Sequence, residues 1–259
     1  MSPQEEELMH SAALSILERT GVAVENAELL ARLGEAGAIV DRQAQRARFG
    51  RAWVDRFLEE SERFDWDAVE PRVSGHASIY FGRLLDPETG DFEQWNLRRY
   101  MRYLKVAHHL PNTGFSISYT CALEDVPAEA MVPFLHYLAL KFQGRSAAAI
   151  DSARWCGPVL EMCQAAADET GAPVGQVFRG DVHMIAPLKL GREEAEIFRF
   201  FAERGLRVGV GVMTSAGGSA PATLAGAAAL HLAQSLFVNI LYRVFFGTKG
   251  LSLGCSISP

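Results

Sequence analysis

The stretch RVGVGVMTSAGGSAPATLAG, residues 207–226, joins an apolar run in which glycine and valine alternate to a long alanine-rich segment. A short apolar run, a glycine-rich turn and a helix in succession are typical of a βα unit. Ser219 is placed to cap the helix, and Pro221 suits its first turn, where a missing N–H costs nothing. The turn then lies at the carboxyl end of a strand, the edge at which α/β barrels bind ligands.

From about Ala77 onward the chain repeats this rhythm. The predicted strands are SIYFG, FSISYT, SAAAI, QVFRGDVHMIAP, LRVGVGVM and GLSLGCSIS, with helical segments between them. Their nearly continuous apolar or small residues indicate parallel strands buried on both faces. A closed barrel needs eight strands, and the GxGxxG turn of a doubly wound sheet is missing. We therefore predict an incomplete TIM-type (β/α) barrel of about six strands over residues 76–259, preceded by a helical amino-terminal cap over residues 1–75.

Composition and charge exclude several classes of function. The net charge of -6 and the lack of a basic stripe give no reason to expect nucleic acid as a partner. The polar, acidic start has no signal or transit peptide, so we expect a cytoplasmic protein. The apolar stretch 220–246 is predicted to be a buried helix and not a membrane span, because it carries side chains that are costly in lipid: His231, Gln234, Asn239, Tyr242 and Arg243. The four cysteines have no CxxC or zinc-like spacing, which favours reduced thiols.

The glycine-rich turn has two interpretations on residues alone. A nucleotide P-loop would need GxxxxGK[ST], and no lysine is present. A phosphate group bound by free N–H groups around Gly218 and at the helix start is one alternative. The other is a tight turn in which the glycines serve only the backbone conformation.

Two further segments carry candidate chemistry. Asp181 and His183 alternate along one predicted strand, so they can act in acid–base chemistry or simply bond to neighbouring loops. SYTCALEDV ends another strand with Tyr119, Glu124 and Asp125, whose carboxylates can attract a cationic amine or cap a helix. Cys121 in the same segment can be a nucleophile only with a base beside it, and otherwise is a small buried residue.

Several segments, in order, resemble one family. GVMTSAGGSAPATLAGAAALHLAQ is similar to the signature segment of the trimethylamine methyltransferase family, in which an AP-x-TLAG element precedes a long helix. HSAALSILERTGVAVENAELLARLGEAGAIVD resembles the family's amino-terminal helices, and LLDPETGDFEQWNLRRYMRYLKVAHHLPN resembles its D-x-x-TG to LPN stretch. LEDVPAEAMVPFLHYLAL and MIAPLKLGREEAEIFRFFAERGLRV are similar to later segments of the family. The likeness covers almost the whole chain.

The resemblance implies a TIM-barrel enzyme that moves a methyl group from trimethylamine, glycine betaine or a similar amine to the cobalt of a separate corrinoid protein. No metal need be bound by the chain itself. The small residues of the turn would let a flat, bulky cofactor approach closely, and strand aromatics, Tyr119 among them, would form an amine cage. The residues expected to face substrate or corrinoid are Tyr119, Glu124, Met213, Thr214, Ser215, Gly217, Gly218 and Ser219, with Asp181 and His183 lining the barrel as the catalytic pair.

Two other functions are consistent with the sequence. One is a phosphate-binding barrel lyase or isomerase, and the other is a non-catalytic partner subunit. Because an uncovered parallel edge at residues 250–258 would invite pairing, we expect either a homo-oligomer or a fragment of a longer barrel. Family members are longer and, in the trimethylamine branch, contain pyrrolysine encoded by UAG. We expect the end at Pro259 to mark either such a codon or a fragment boundary.

Overall fold

The computed structural model describes most of the chain. The described residues are 2–65, 67–70, 75–78, 83–86, 88–109, 113–116, 123–146, 150–252 and 257–258. Side chains are described for all of these except 75–78, 107–108, 113–116 and 257–258.

The described residues form a mixed α/β fold. The α-helices are α1 (Pro3–Ser15), α2 (Ala27–Glu35), α3 (Arg51–Glu59), α4 (Leu97–His109), α5 (Met131–Gln143), α6 (Cys156–Thr170), α7 (Val174–Val177), α8 (Arg192–Ala202) and α9 (Leu224–Phe246). The strands are β1 (Val22–Val24), β2 (Ile39–Asp41), β3 (Arg46–Arg48), β4 (Gly75–Ser78), β5 (Leu84–Leu85), β6 (Phe92–Glu93), β7 (Thr113–Ser116), β8 (Asp181–His183), β9 (Lys189–Leu190), β10 (Gly209–Gly211), β11 (Thr214–Ser215) and β12 (Ile257–Ser258). A π-helical turn, Ile16–Thr20, continues α1.

The largest sheet has four strands in the order β2-β3-β1-β9. β1 pairs antiparallel with β3 and parallel with β9. The other described strands form pairs, of which β4–β7 and β11–β12 are parallel and β5–β6 is antiparallel, and β10 lies beside β8. Over the described ranges these sheets do not close into a barrel.

The predicted order of helices is confirmed for the middle and end of the chain. α4, α5, α6 and α8 begin within three residues of the helix starts that the apolar periodicity predicts, which are Asn96, Ala128, Trp155 and Arg192. Where the structure describes them, the predicted strands are short segments, such as β8, β10 and β12, and the QVFRG part of one of them contains the short helix α7. The first sixty residues contribute three strands, β1 to β3, as well as helices.

The chain divides into two compact units. The first comprises residues 1–68, 182–205 and 210–259, and the second comprises residues 69–181 and 206–209. The boundary near residue 75 between a helical region and a barrel stays a prediction.

The first unit is built around α9. α1 packs along this helix, and most of α9 is buried, from Ala227 to Tyr242. Large side chains without solvent contact complete the core: Leu14, Leu17, Phe49, Phe198, Phe201 and Phe237. Among the described helices, α9 alone is long and apolar enough to cross a membrane, but 72% of its apolar window is buried in the protein. It is therefore a core helix, as predicted.

The second unit has its own apolar core between α4 and α5. It is formed by buried residues on the two helices and the segment between them: Tyr100, Leu104, Leu123, Met131, Leu135, Leu138 and Ala139. Cys156 and Cys163 on α6 are buried free thiols, and burial raises the pKa of Cys163. Cys121 and Cys255 lie outside the described residues.

Candidate functional site

The mouth loop, residues 213–220, follows β10 and bonds chiefly to itself. The N–H groups of Gly218, Ser219 and Ala220 all donate to the carbonyl oxygen of Ser215, at 3.2, 3.0 and 3.0 Å. The Gly217 N–H donates to the Ala220 carbonyl at 3.1 Å. The donors around Gly218 that an anion would use are therefore already engaged, and this part of the phosphate-site interpretation loses its support.

The prediction that Ser219 caps the following helix is wrong. Its hydroxyl instead accepts from the Ser215 N–H at 3.1 Å, which closes the loop. The helix begins at Leu224, and the cap is Thr223, whose hydroxyl accepts from the Gly226 N–H at 3.2 Å. Pro221 lies before the first turn and not within it, because the chain must first complete the loop turn.

Packing within residues 221–226 explains the unusual composition of this segment. A Cβ added at Gly226 would lie 2.8 Å from Pro221 Cβ and 2.9 Å from Thr223 Oγ1. Glycine at this position therefore lets the proline ring and the capping threonine pack against the first helical turn. The A-P-x-T-L-A-G pattern is one packed unit that sets where α9 starts.

Replacing the cap should cost a measurable part of the stability. We expect Thr223→Ala to lower the free energy of unfolding by about 1 kcal/mol, because the Gly226 N–H loses its acceptor at the start of the helix. Urea unfolding followed by Trp fluorescence measures this. Thr223→Ser retains the hydroxyl and is the control. Equal losses in the two variants would contradict the assignment of the cap.

Thr214 is turned inward from the mouth loop. It is 1% exposed, and its Oγ1 lies 3.0 Å from Nδ1 of His231 and 3.4 Å from Nε2 of Gln234, both on α9. Gln234 Oε1 in turn accepts from the Leu188 N–H at 2.9 Å. The predicted role of Thr214 in contact with a ligand is thus replaced by one of holding the loop against α9.

The outer face of the mouth loop is uncharged and partly apolar. Met213 is 49% exposed and Leu224, at the helix start, 72% exposed, and Gly217 and Gly218 are also exposed. Gly217 has a φ of 77°, which favours glycine, and a Cβ there would meet no described atom within 4 Å. No Asp, Glu, Lys or Arg occurs between Arg207 and Arg243. The loop can accept a large uncharged surface and has no cation to hold an anion.

Asp181 and His183 occupy alternate positions of β8. Asp181 is exposed and His183 half-buried, with buried Val182 between them. The Ile150 N–H donates to the Asp181 carbonyl oxygen at 3.1 Å. The His183 ring lies over Gly211 on β10, where an added Cβ would be 2.6 Å from His183 Cδ2 and 2.8 Å from Nε2. The absence of a side chain at residue 211 therefore lets this ring lie flat on the neighbouring strand.

A methyl group at residue 211 should move the His183 ring. In Gly211→Ala we expect the Cε1–Hε1 NMR cross-peak of His183 to shift, with a loss of about 1 kcal/mol in stability from the changed rotamer. Gly209→Ala is the matched control, since its Cβ would lie 3.3 Å from Asp181 Cβ and away from the imidazole. A His183 cross-peak that stays in place in Gly211→Ala would show that the ring does not lie on this glycine.

The carboxylates of the SYTCALEDV segment serve α4. Asp125 Oδ1 accepts from the Leu97 N–H at 2.8 Å, and Glu124 Oε1 accepts from the Asn96 side chain at 3.3 Å. The capping alternative is supported, but for the helix that precedes the segment in the chain and not for the one that follows. Tyr119 lies outside the described residues.

Metal ligands are not clustered in the part of the chain that the structure describes. No group of three or more His, Cys, Asp or Glu side chains there is arranged to hold an ion. His109 at the end of α4 instead places Nδ1 2.7 Å from the Lys105 carbonyl oxygen.

Comparison with known proteins decides the family. The family model for trimethylamine methyltransferase matches residues 1–247. The chain belongs to the trimethylamine methyltransferase family. A search of curated protein sequences found no match. In this family member the mouth loop and the start of α9 lie within the matched residues, and membership supports a methyltransferase function on a methylated amine.

Sequence reasoning missed the residues that hold this segment together. Leu188, Thr223, Gly226 and Gln234 were not singled out as site residues. One signal was available, because Gln234 is a polar residue within an apolar helix, and such residues are usually bonded to something specific.

Proposed function

We propose that this chain transfers a methyl group from trimethylamine, glycine betaine or a similar methylated amine to the cobalt of a separate corrinoid protein. The observation that carries the proposal is the mouth loop, which is uncharged, largely bonded to itself and partly exposed, and which lies within the residues that the family model matches. The proposal includes three further expectations. The fold is an incomplete TIM-type barrel, the protein is cytoplasmic, and it pairs with a second copy of the same chain.

The loop suits a corrinoid better than an anion. A corrinoid, when bound, supplies a nucleophilic cobalt that accepts the methyl group. The exposed Gly217 and Gly218 leave space for a flat ring, and exposed Met213 and Leu224 offer apolar contact to it. Because Ser215 and Ser219 bond within the loop, its shape is set before any partner arrives.

The amine would be recognised by shape and desolvation. A quaternary ammonium has no N–H to donate, so aromatic faces such as that proposed for Tyr119 would hold it, with Glu124 as a charge partner. Methyl transfer would break the N–CH₃ bond, with the methyl carbon passing to the cobalt of the partner protein and the bonding electron pair staying on nitrogen. For trimethylammonium, the N–H proton would stay on the nitrogen of the departing dimethylamine, and Asp181 and His183 would accept a hydrogen bond from it and orient this leaving group.

The test is direct methyl transfer. The purified chain is mixed with reduced free cobalamin and, in turn, trimethylamine, glycine betaine and choline. Methyl-cobalamin is followed by its visible spectrum and the demethylated amine by mass spectrometry. We expect transfer from at least one amine, and no transfer from any of the three would overturn the proposal.

A parallel experiment addresses the anion-binding alternative. Amide hydrogen exchange at residues 217–220 is measured with and without inorganic phosphate. We expect no change, because these N–H groups already donate within the loop. Protection by phosphate would favour the lyase or isomerase.

Light scattering on the purified chain tests the homo-oligomer.

A further inference from the structure

We infer that Gln234 is a positioning residue that couples the mouth loop to a second loop, residues 184–188 between β8 and β9. Its catalytic consequence rests on the proposed function, but the coupling itself does not. All the residues concerned belong to the first unit.

The coupling is a directed chain of hydrogen bonds. Gln234 is fully buried, and its Oε1 accepts from the Leu188 N–H at 2.9 Å. Its Nε2 therefore donates to Thr214 Oγ1 at 3.4 Å, and the same threonine oxygen lies 3.0 Å from His231 Nδ1. One amide thus joins the backbone of the β8–β9 loop to a side chain of the mouth loop.

The backbone conformation of Leu188 is an independent reason to assign a function to this series of hydrogen bonds. Its φ is 54°, in the left-handed region that costs free energy for a residue with a Cβ. The residue is buried, its carbonyl oxygen accepts from the Ala23 N–H at 2.9 Å, and its N–H is held by Gln234. Backbone strain that is held by side-chain bonds recurs where a fold needs one exact loop conformation.

The two loops follow neighbouring strands. The Met184 N–H donates to the Gly211 carbonyl oxygen at 2.9 Å, at the ends of β8 and β10. Beyond that bond each loop exposes a large apolar side chain, Ile185 at 47% and Met213 at 49%. A buried amide that fixes Leu188 against Thr214 sets the separation of the two loops, and with it the space that a ligand meets.

Hydrogen exchange on the full chain tests the coupling. Thr214→Val is nearly isosteric and does not touch Leu188. We expect it to raise amide exchange at Leu188 at least fivefold, as well as at residues 215–220. Gln234→Leu should raise both at least tenfold. Unchanged exchange at Leu188 in Thr214→Val would overturn the inference, even if Gln234→Leu fails to fold.

Asn239→Leu is the matched control. Asn239 is a buried amide on the same helix, but it bonds to the Ser235 carbonyl and to the backbone of Ser252. We expect exchange at Leu188 and in the mouth loop to stay as in the wild type. If Asn239→Leu raised amide exchange at these positions as much as Gln234→Leu does, the effect would be a general loss of packing. That result would overturn the inference.

Activity separates the coupling from the proposed function. We expect Gln234→Leu to lower kcat for methyl transfer about tenfold while KM changes less than threefold. If the wild type transfers no methyl group, the proposed function fails and the exchange data alone decide the coupling. If exchange changes but kcat does not, the positioning role is overturned.

Discussion

Acidification from pH 6.5 to pH 4 is expected to destabilise the wild-type chain by about 3 kcal/mol more than the variant His136→Leu. His136 on α5 is fully buried, and among the described residues neither ring nitrogen has a hydrogen-bond partner. Burial lowers its pKa from 6.5 to about 4. Between these values the unfolded chain binds a proton that the folded chain does not, so stability falls as the pH falls, and the loss levels off below pH 4.

Urea unfolding at half-unit pH steps, followed by circular dichroism, measures the difference. At pH 7 His136 is neutral in the folded and in the unfolded chain. The His136→Leu variant should then be at least as stable as the wild type, because a buried imidazole without a hydrogen-bond partner costs about 1–3 kcal/mol. His109→Leu, at an exposed position of the same unit, should keep the wild-type acid sensitivity. Parallel pH curves for the wild type and His136→Leu would contradict the burial of a neutral ring.

Gly21→Ala is expected to lower the free energy of unfolding by about 3 kcal/mol or more. Gly21 has a φ of 67° at the end of the π-helical turn, where its N–H donates to the Ile16 carbonyl at 2.8 Å. A Cβ there would overlap the Ala47 carbonyl oxygen and lie 2.5 Å from Arg48 Cγ. The backbone of β3 cannot give way without breaking its pairing with β1.

Gly247→Ala gives the cost of a left-handed helix cap without a clash, for comparison with Gly21→Ala. Gly247 ends α9 with a φ of 65°, but a Cβ there would meet no described atom within 4 Å. We expect a loss of about 1 kcal/mol, from the left-handed conformation alone. Thermal unfolding of the two variants measures the difference, and similar losses would show that β3 lies farther from Gly21 than described.

Helices were predictable because their signals are local. The periodic apolar residues of α4, α5, α6 and α8 lie within one segment each, and the predicted starts agree with the structure. The strands β1 and β9 were not predicted. Each is two or three residues long, and their pairing joins residues 22–24 to residues 189–190, a partnership that no local pattern contains.

The position of the mouth loop was predictable from the sequence, but its hydrogen bonding was not. The mouth loop follows β10 as predicted, yet its cap is Thr223 and not Ser219. Both residues are good caps in isolation. The choice depends on which hydroxyl the loop uses to close on Ser215.

Two histidines in apolar helices show most clearly what the local sequence leaves undecided. His136 and His231 both lie among apolar residues in the sequence, and such a position by itself predicts a core histidine with hydrogen-bond partners. Thr214 Oγ1 lies within hydrogen-bond distance of His231 Nδ1. Neither ring nitrogen of His136 has a hydrogen-bond partner among the described residues. The difference lies in segments far away in the chain.

The amino-acid sequence by itself determined the family, the helical segments and the position of the glycine-rich loop at the end of a strand, because each of these is carried by contiguous residues. Only the tertiary structure decided that the loop's N–H groups are engaged, that Thr214 is turned to α9 and that Gln234 holds a left-handed Leu188. These depend on hydrogen bonds between segments up to 46 residues apart, whose partners are chosen by packing in three dimensions.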